Sequence, residues 1–402
     1  MRAPLTGTTR CNQKPRINQD FAAGDNKKSM YFGKQKVRPA VLVACLFLTT
    51  ITSAQLATRE DSYAQQFSHT VQMHIAGSSD EWLEKTAIFG DTPNDISSLA
   101  GVAPLMLETW FNDASQRFLI ENDLLAGLQK DRFKETPSQN QYLPNDAKVL
   151  LLSWWPVAAK GATPIPLWQA KNSGAVGRSN GYLHWPTAAL VHTLEQTNTE
   201  SLTEISQVAV AGKFRPISHR ASLNSLFHIL VTESVAAHWN EQKAGNKLSR
   251  MVLGRPLRAG DFLALVAAHG VWGDSGNGHW LTLWWQPDKP PELMPLGPSD
   301  IEQHYAFDSC SDSTLPLEPD GSPNSCFNPW LEGGLVSHSG ITPRQSNCIS
   351  CHARASFPPR DFLTVTQGKQ HIPPSSIPTG MLWSPALRAR DMTTHHDEAI
   401  FR

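Results

Sequence analysis

The chain of 402 residues is poor in cysteine and in recognisable enzyme motifs. It has six cysteines, and only two of them stand in a C-x-x-C spacing, so the second pair that a zinc ribbon requires is absent. No nucleophile elbow, P-loop, HExxH sequence or dinucleotide-binding fingerprint is present either. Their absence argues against the hydrolases, nucleotide-binding proteins, zinc proteases and dehydrogenases that carry those motifs. No repeat of fixed period is visible.

The one C-x-x-C pair is followed directly by a histidine, as Cys348, Cys351 and His352 in "SNCISCHARAS". Two thiols at this spacing on a helical turn can form thioethers with the two vinyl groups of haem, which leaves the histidine under the iron. A helix start at Pro343 and a stop at residues 358–359, both prolines, agree with this. The alternatives are half of a zinc site and a thioredoxin-like redox pair, and the latter needs a preceding strand that "SHSGITPRQSN" does not predict. We therefore predict one covalent haem c with His352 as proximal ligand.

The N-terminal leader predicts export. Lys34, Lys36 and Arg38 precede an apolar core at residues 40–51, and small residues follow as far as Ala54. This is the pattern of a secretory signal peptide, and the core is too short for an ordinary transmembrane helix. We expect cleavage after Ala54 and a periplasmic location. Cys45, in "LVAC", also matches a lipoprotein box, and lipidation there would associate the protein with a membrane.

Removal of the leader changes both the charge and the cysteine count. It takes away nine basic and two acidic residues, so the remaining 348 residues carry 26 Lys and Arg against 34 Asp and Glu, a net charge of −8. This charge argues against nucleic acid as a partner and would suit a basic redox protein. If Cys348 and Cys351 hold haem, Cys310 and Cys326 are the remaining pair, and we expect a disulfide in an oxidising compartment. Two free thiols are the alternative.

A stretch with five prolines, residues 286–300, predicts a semi-rigid linker between two domains. We therefore divide the chain into a leader at residues 1–54, a domain at residues 55–298 and a haem c domain at residues 299–402. The predicted fold class is α+β, with an antiparallel sheet and helices in the first domain and a loop-rich, mainly helical haem segment in the second.

Local patterns place the elements of the first domain. Apolar runs predict buried strands at Ala147–Val157 and Leu226–Thr232, and "GDSGNG" at Gly273–Gly278 predicts a hairpin between two further apolar strands. The tryptophan pairs at 154–155 and 284–285 are expected in the core, with a ring cage around a haem edge or a substrate groove as the alternative. Helices are expected at residues 61–76, 79–89, 112–130 and 233–245.

The haem motif also carries a family resemblance. "NCISCHARA", Asn347 to Ala355, resembles c-type cytochromes, and in particular the exported bacterial "cytochrome c family" proteins that join a larger domain to a single C-terminal haem. "FNPWLEGG", Phe327 to Gly334, is similar to the segment that precedes the motif in such proteins. The resemblance implies haem c, electron transfer, and a redox protein or small-molecule donor or acceptor as partner. It covers about thirty residues and implies no reaction for residues 55–300.

The sixth iron ligand has several candidates. Met381, which lies 29 residues beyond His352 and follows a Pro and a Gly, is the first, although a methionine beside Leu382 and Trp383 also suits a core. A histidine is the second option, and an open site is the third. The histidines considered are His371, His269 and His279, with His395 and His396 expected in solvent.

Two main classes of function follow from the iron site. An electron carrier needs two strong axial ligands, whereas a peroxidase-like oxidoreductase needs an open iron position and a distal acid or base. A third class is a binding module in which the haem is a sensor or a structural clamp. Because no distal acid or base signature is present, we predict the electron carrier and assign no catalytic residue.

Overall fold

The structure is a computed structural model. It describes residues 62–75, 83–84, 105–120, 143–168, 181–193, 205–210, 212–273, 279–288, 294–310, 328–332, 356–357 and 377–378. All of these fall in the unit that runs from Leu56 to Arg402. The predicted signal peptide, with Cys45 and Ala54, lies outside the described residues. Within the ranges given above, no helix has the length and apolar character needed to cross a membrane.

The described part of the chain contains α-helices and strands in mixed order. Those before the central strand β9 are α1 (residues 62–75), β1 (Leu83–Glu84), β2 (Met106–Phe111), α2 (Asp113–Ile120), β3 (Lys148–Val157), β4 (Ala162–Leu167), β5 (Thr187–His192), β6 (Gln207–Val210), β7 (Lys213–Ser222), β8 (His228–Leu230), α3 (Glu233–Glu241) and α4 (Lys243–Leu253). The rest are β9 (Phe262–Trp272), β10 (His279–Trp285), β11 (Met294–Pro295), β12 (Tyr305–Cys310), α5 (Pro329–Glu332), β13 (Ser356–Phe357) and β14 (Ile377–Pro378).

An antiparallel sheet of eight strands forms the centre of the fold. Its order is β1-β2-β3-β9-β10-β12-β11, and β8 pairs with the first residues of β9. All but the first of the eleven residues of β9 are buried, which explains why the strand is a continuous apolar run rather than an alternating one. The sheet confirms the predicted antiparallel α+β architecture of this part of the chain, the hairpin of β9 and β10, and the long buried strand that became β3.

The tryptophan pairs lie in this core, as predicted. Trp154 and Trp155 on β3 are 1% and 0% exposed, and Trp284 and Trp285 on β10 are 3% and 1% exposed. On α1, the ring of Phe67 contacts that of Trp272 edge-on at 5.3 Å between centroids, so the helix packs against the sheet. The predicted helix at residues 61–76 is therefore confirmed as α1.

A second sheet of four strands, in the order β4-β5-β7-β6, was not expected from the sequence. Its strands β5 and β7 are parallel, whereas the outer pairs are antiparallel. Pattern reasoning misses β4 because it contains Pro164 and Pro166, which are tolerated here since β4 is an edge strand. It misses β7 because that strand is charged, interrupted by Pro216 and exposed at half of its ten residues.

Three local predictions need correction. The helix expected at residues 79–89 is wrong where it can be tested, because Leu83–Glu84 forms a strand that pairs with Trp110 and Phe111. The strand expected at Leu226–Thr232 is only His228–Leu230 and is partly exposed. The helix expected at residues 233–245 ends at Glu241, and α4 starts immediately after the extended residue Gln242.

The join between α3 and α4 depends on a glycine. A Cβ added at Gly245 would lie 2.6 Å from the backbone oxygen of Trp239, which is closer than real Cβ atoms come. The indole of Trp239 also donates to the backbone oxygen of Gly245 at 2.8 Å and to Ser249 Oγ at 2.6 Å. The two helices can meet at this distance because residue 245 has no side chain.

The central sheet continues beyond the proline-rich stretch that was predicted to separate two domains. β12 pairs with β10 over six residues, from Tyr305 to Cys310, and β11 lies within the stretch itself. The division at residue 298 stays a prediction, but the sheet reaches Cys310. That residue is buried and disulfide-bonded, and its partner lies outside the described residues, so the pairing with Cys326 also stays a prediction.

A buried carboxylate joins the β3–β4 turn to the loop before β9. Asp261 is 1% exposed and accepts hydrogen bonds from both terminal nitrogens of Arg255, at 2.6 and 2.7 Å. It also accepts from the backbone nitrogens of Ala159 and Arg258, each at 3.0 Å. Burial alone would raise the pKa of Asp261, but these four hydrogen bonds outweigh burial and hold the pKa below its usual value.

Candidate functional site

The residues predicted to hold haem lie outside the described part of the chain. This applies to Cys348, Cys351, His352 and Met381, and also to His371, His395 and His396. Their roles therefore stay predictions. The structure describes instead the segment that precedes the motif, Asn328 to Glu332, and the short strand pair that follows it in sequence, β13 with β14.

Asn328 fixes the segment before the motif to the central sheet. Its side chain is fully buried, and Nδ2 donates to Thr282 Oγ1 and to the backbone oxygen of Leu283 on β10, each at 2.9 Å. The other end of the same amide caps α5, since Oδ1 accepts from the nitrogens of Trp330 at 3.1 Å and Leu331 at 3.4 Å. Pro329 occupies the first helical position, where its missing N–H costs nothing. One side chain therefore both starts α5 and joins it to the sheet.

Trp330 fits into a group of three aromatic side chains, Trp155, Tyr182 and Trp185, which we call the Trp330 cage. The ring centroid of Trp330 lies 5.4 Å from that of Trp155, 5.6 Å from that of Tyr182 and 4.8 Å from that of Trp185. The rings are tilted or edge-on, which is the favoured arrangement for aromatic pairs. Only 4% of Trp330 is exposed. The cage combines a strand of the central sheet with a 3₁₀ turn, Gly181–His184, and the residue after it.

A buried arginine supports two walls of the cage. Arg215 on β7 is 3% exposed and donates to the backbone oxygens of Trp185 at 2.8 Å, Leu183 at 2.7 Å and Tyr182 at 3.3 Å. It also donates to the oxygen of Val210 at 2.8 Å. Burial lowers the pKa of Arg215, but a guanidinium keeps its charge in proteins. The positive charge thus stabilises the carbonyl end of the 3₁₀ turn and fixes the backbone that carries Tyr182 and Trp185.

The strand pair after the motif limits how far Met381 can lie from His352. Ser356 pairs with Pro378 and Phe357 with Ile377 in antiparallel register. β13 begins four residues after His352, and β14 ends three residues before Met381. Because consecutive Cα atoms are about 3.8 Å apart, this pairing limits the Cα separation of the two candidate ligands to about 32 Å, against about 110 Å for an open chain of that length.

Two of the alternative ligand histidines are buried in the central sheet. His269 on β9 pairs with Leu151 and Thr282 of the neighbouring strands. The ring of His279, at the start of β10, stacks on that of Tyr63 at 3.8 Å between centroids with an interplanar angle of 15°. In the part of the chain that the structure describes, no group of three or more His, Cys, Asp or Glu side chains could hold a metal ion.

A cleft of about 420 Å³ lies beside the stacked pair of Tyr63 and His279, where β9 ends. The described residues that line it are Ser62, Tyr63 and Gln66 of α1, Asn145 in the turn before β3, Lys148 at the start of β3, Trp272 at the end of β9 and Gly273 after it. Neither this cleft nor the individual roles of Asn328, Arg215 and Tyr182 were predicted from the sequence. The one local signal was Asn-Pro at residues 328–329, which is typical of a helix start.

Comparison of the chain with protein-family models, with curated proteins and with solved structures finds no match. The functional interpretation therefore depends on the residues of the chain itself.

Proposed function

We propose that the protein is an exported, monohaem c-type cytochrome that transfers electrons. In this proposal Cys348 and Cys351 attach one haem c covalently, and His352 is the proximal iron ligand. The observation that carries the proposal is the C-x-x-C-H sequence near the end of a chain with few cysteines. The resemblance of the surrounding residues to exported bacterial cytochromes, and the signal-peptide pattern at residues 34–54, both agree with it.

The donor set of the motif suits haem c. The two thiols provide the covalent links, and the imidazole of His352 provides a strong iron ligand, so these residues bind and orient the group. Haem supplies one-electron chemistry at the iron, which the side chains of the chain cannot supply themselves. The loop-rich, mainly helical character of residues 299–402 belongs to this proposal, and the strands β12, β13 and β14 are the described exceptions to it.

The anchored segment before the motif supports the carrier function. Asn328 and Trp330 attach the chain to the sheet 18 residues or more before Cys348. Both side chains are buried, and both contact residues of the central sheet. An electron carrier needs its haem segment joined to the rest of the protein, and this attachment supplies a fixed point in the chain before that segment begins. The partner would be a redox protein or a small-molecule electron donor or acceptor.

Met381 is our proposed sixth ligand. The register of β13 and β14 favours it, since the chain is turned back towards the motif three residues before Met381. His371 lies in the connection between the two strands, and it is the alternative. A thioether ligand would raise the reduction potential relative to a second imidazole.

The first experiment tests covalent attachment. The full chain is expressed in a bacterial host with the cytochrome c maturation machinery, and haem is stained after denaturing electrophoresis. We expect staining of the wild-type chain and of a Ser350→Ala control, and none of a Cys348→Ser, Cys351→Ser double variant. Staining that survives in the double variant, or haem that is lost from the wild type on acid-acetone extraction, would contradict the proposal.

The same material tests localisation and the type of function. The protein purified from the periplasmic fraction should have the mass of a chain that begins at Gln55 and carries one haem. A carrier with two strong ligands should show no change in its ferrous optical spectrum on addition of carbon monoxide. Rapid binding of carbon monoxide, together with turnover of peroxide, would favour the peroxidase-like oxidoreductase instead.

A further inference from the structure

The cleft beside Tyr63 has a rigid wall at the end of β9. A Cβ added at Gly273 would lie 1.7 Å from the backbone oxygen of Pro144, so the turn before β3 rests directly on this glycine. The backbone nitrogen of Gly273 donates to the oxygen of Ala147 at 2.7 Å. Trp272 is held by the edge-on ring of Phe67 and is 4% exposed. The cleft is therefore formed before any ligand enters, as most small-molecule sites are.

Lys148 is the one charged residue among the described residues that line the cleft. Its backbone is fixed by two hydrogen bonds. The backbone nitrogen of Lys148 donates to Asn112 Oδ1 at 2.8 Å, and its backbone oxygen accepts from Ser115 Oγ at 2.7 Å. Its ammonium lies 5.7 Å from the ring centroid of Trp272, to which Lys148 is also directly opposite in the sheet register. Among the described residues, no carboxylate lies within ion-pair distance of this ammonium.

Apart from Gly273, the other lining residues that the structure describes are neutral and either polar or aromatic. Gln66 and Asn145 are exposed at the rim, and Gln66 Nε2 makes a long hydrogen bond of 3.3 Å to Ser62 Oγ, also at the rim. The indole nitrogen of Trp272 is buried and has no hydrogen-bond acceptor within the described ranges. The cleft thus combines a half-buried cation, amide and hydroxyl groups, and the half-buried ring of Tyr63.

We propose that this cleft, which we call the Lys148 cleft, binds a small organic anion with a planar body. The negative group of the ligand would pair with the Lys148 ammonium, whose partial burial strengthens a charge pair relative to one in water. The amides and hydroxyls of the rim would bind its polar substituents. The volume of about 420 Å³ lies within the range of about 300–1,000 Å³ found for small-molecule sites. The inference does not depend on haem, and it gives the larger part of the chain a binding function.

The test uses three probes that share a flat ring: para-nitrobenzoate, para-nitrophenyl phosphate and the neutral para-nitrobenzamide. Each is titrated against the full, exported chain, and binding is measured by ligand-detected saturation-transfer NMR. We expect at least one of the two anions to bind, and the amide to bind about tenfold more weakly or not at all, because a hydrogen bond to a charged group is lost. Binding of one anion alone would identify the head group as carboxylate or phosphate.

Variants locate the binding. Lys148→Met keeps the aliphatic stem and removes the charge, and it should weaken anion binding about tenfold or more, whereas Lys148→Arg should retain most of it. Lys247→Met, at an exposed lysine of α4, is the matched control and should bind as the wild type does. Equal binding of the amide and the anions, no anion binding at low-millimolar concentration, or unchanged binding to a folded Lys148→Met variant would each overturn the proposal. If Lys148→Met fails to fold, the proposal is tested by the wild type alone, through the difference in binding between the two anions and the neutral amide.

Discussion

Replacement of Asn328 should separate the two tasks of its amide. Asn328→Ser keeps a side-chain oxygen that can cap α5 but loses the two hydrogen bonds to Thr282 and Leu283, whereas Asn328→Ala loses both functions. A buried hydrogen bond contributes about 0.5–1.5 kcal/mol to the free energy of unfolding, so the serine variant should lose about 1–3 kcal/mol. Loss of the cap should cost the alanine variant about 1 kcal/mol more.

Urea unfolding followed by tryptophan fluorescence measures these changes, and amide hydrogen exchange at Trp330 and Leu331 shows where they act. We expect exchange at these two amides to increase in the order wild type, Asn328→Ser, Asn328→Ala. Asn224→Ala, at an exposed asparagine, should match the wild type in both measurements. If Asn328→Ala lowers the free energy of unfolding by less than about 1 kcal/mol, or leaves the exchange of α5 unchanged, then Asn328 does not anchor the segment as we describe.

Three further predictions concern acid stability, helix packing and the iron ligand. The pKa of Asp261 is lower in the folded than in the unfolded state, so the carboxylate stabilises the folded protein fully above its unfolded pKa of about 3.9. This contribution should fall as the pH drops through the lower folded pKa. Asp261→Asn should therefore make the free energy of unfolding, measured between neutral pH and about pH 2, depend less on pH. Gly245→Ala should lower that free energy by about 1–3 kcal/mol, since the added methyl group overlaps the backbone of Trp239, and a melting temperature equal to that of the wild type would count against the close helix contact. If Met381 binds the iron, the ferric protein should show the weak far-red sulfur-to-iron band, and Met381→Ala should abolish it; if His371 binds instead, the band should be absent from the wild type as well.

The buried strands were predictable from the sequence because each is a single, locally readable pattern. β3 and β9 are long apolar runs, and the Gly-rich stretch between β9 and β10 has the composition of a hairpin turn. β7 was missed for the opposite reason. Its charged and exposed residues give no apolar pattern, and its one long buried polar residue, Arg215, is explained only by carbonyl groups from distant parts of the chain.

The candidate sites show the same limit of local reasoning. The C-x-x-C-H motif is visible in a few letters because haem attachment requires a fixed spacing. The Trp330 cage takes residues from β3, the 3₁₀ turn and α5, and the Lys148 cleft takes them from α1, β3 and β9. No spacing in the sequence links these segments, so only the folded chain shows that they meet.

The capped start of α5 has a consequence for how the chain can change in length. β12 pairs with β10 and ends at Cys310, and the chain is attached again at Asn328, whose side chain hydrogen-bonds to β10. The 17 residues between them begin and end at fixed positions. Doubling such a connection costs only about 0.6 kcal/mol of closure entropy, and added residues would not shift the point at which the chain re-enters the sheet. Insertions, tags or whole modules placed between residues 311 and 327 should therefore leave the position of the downstream segment unaltered.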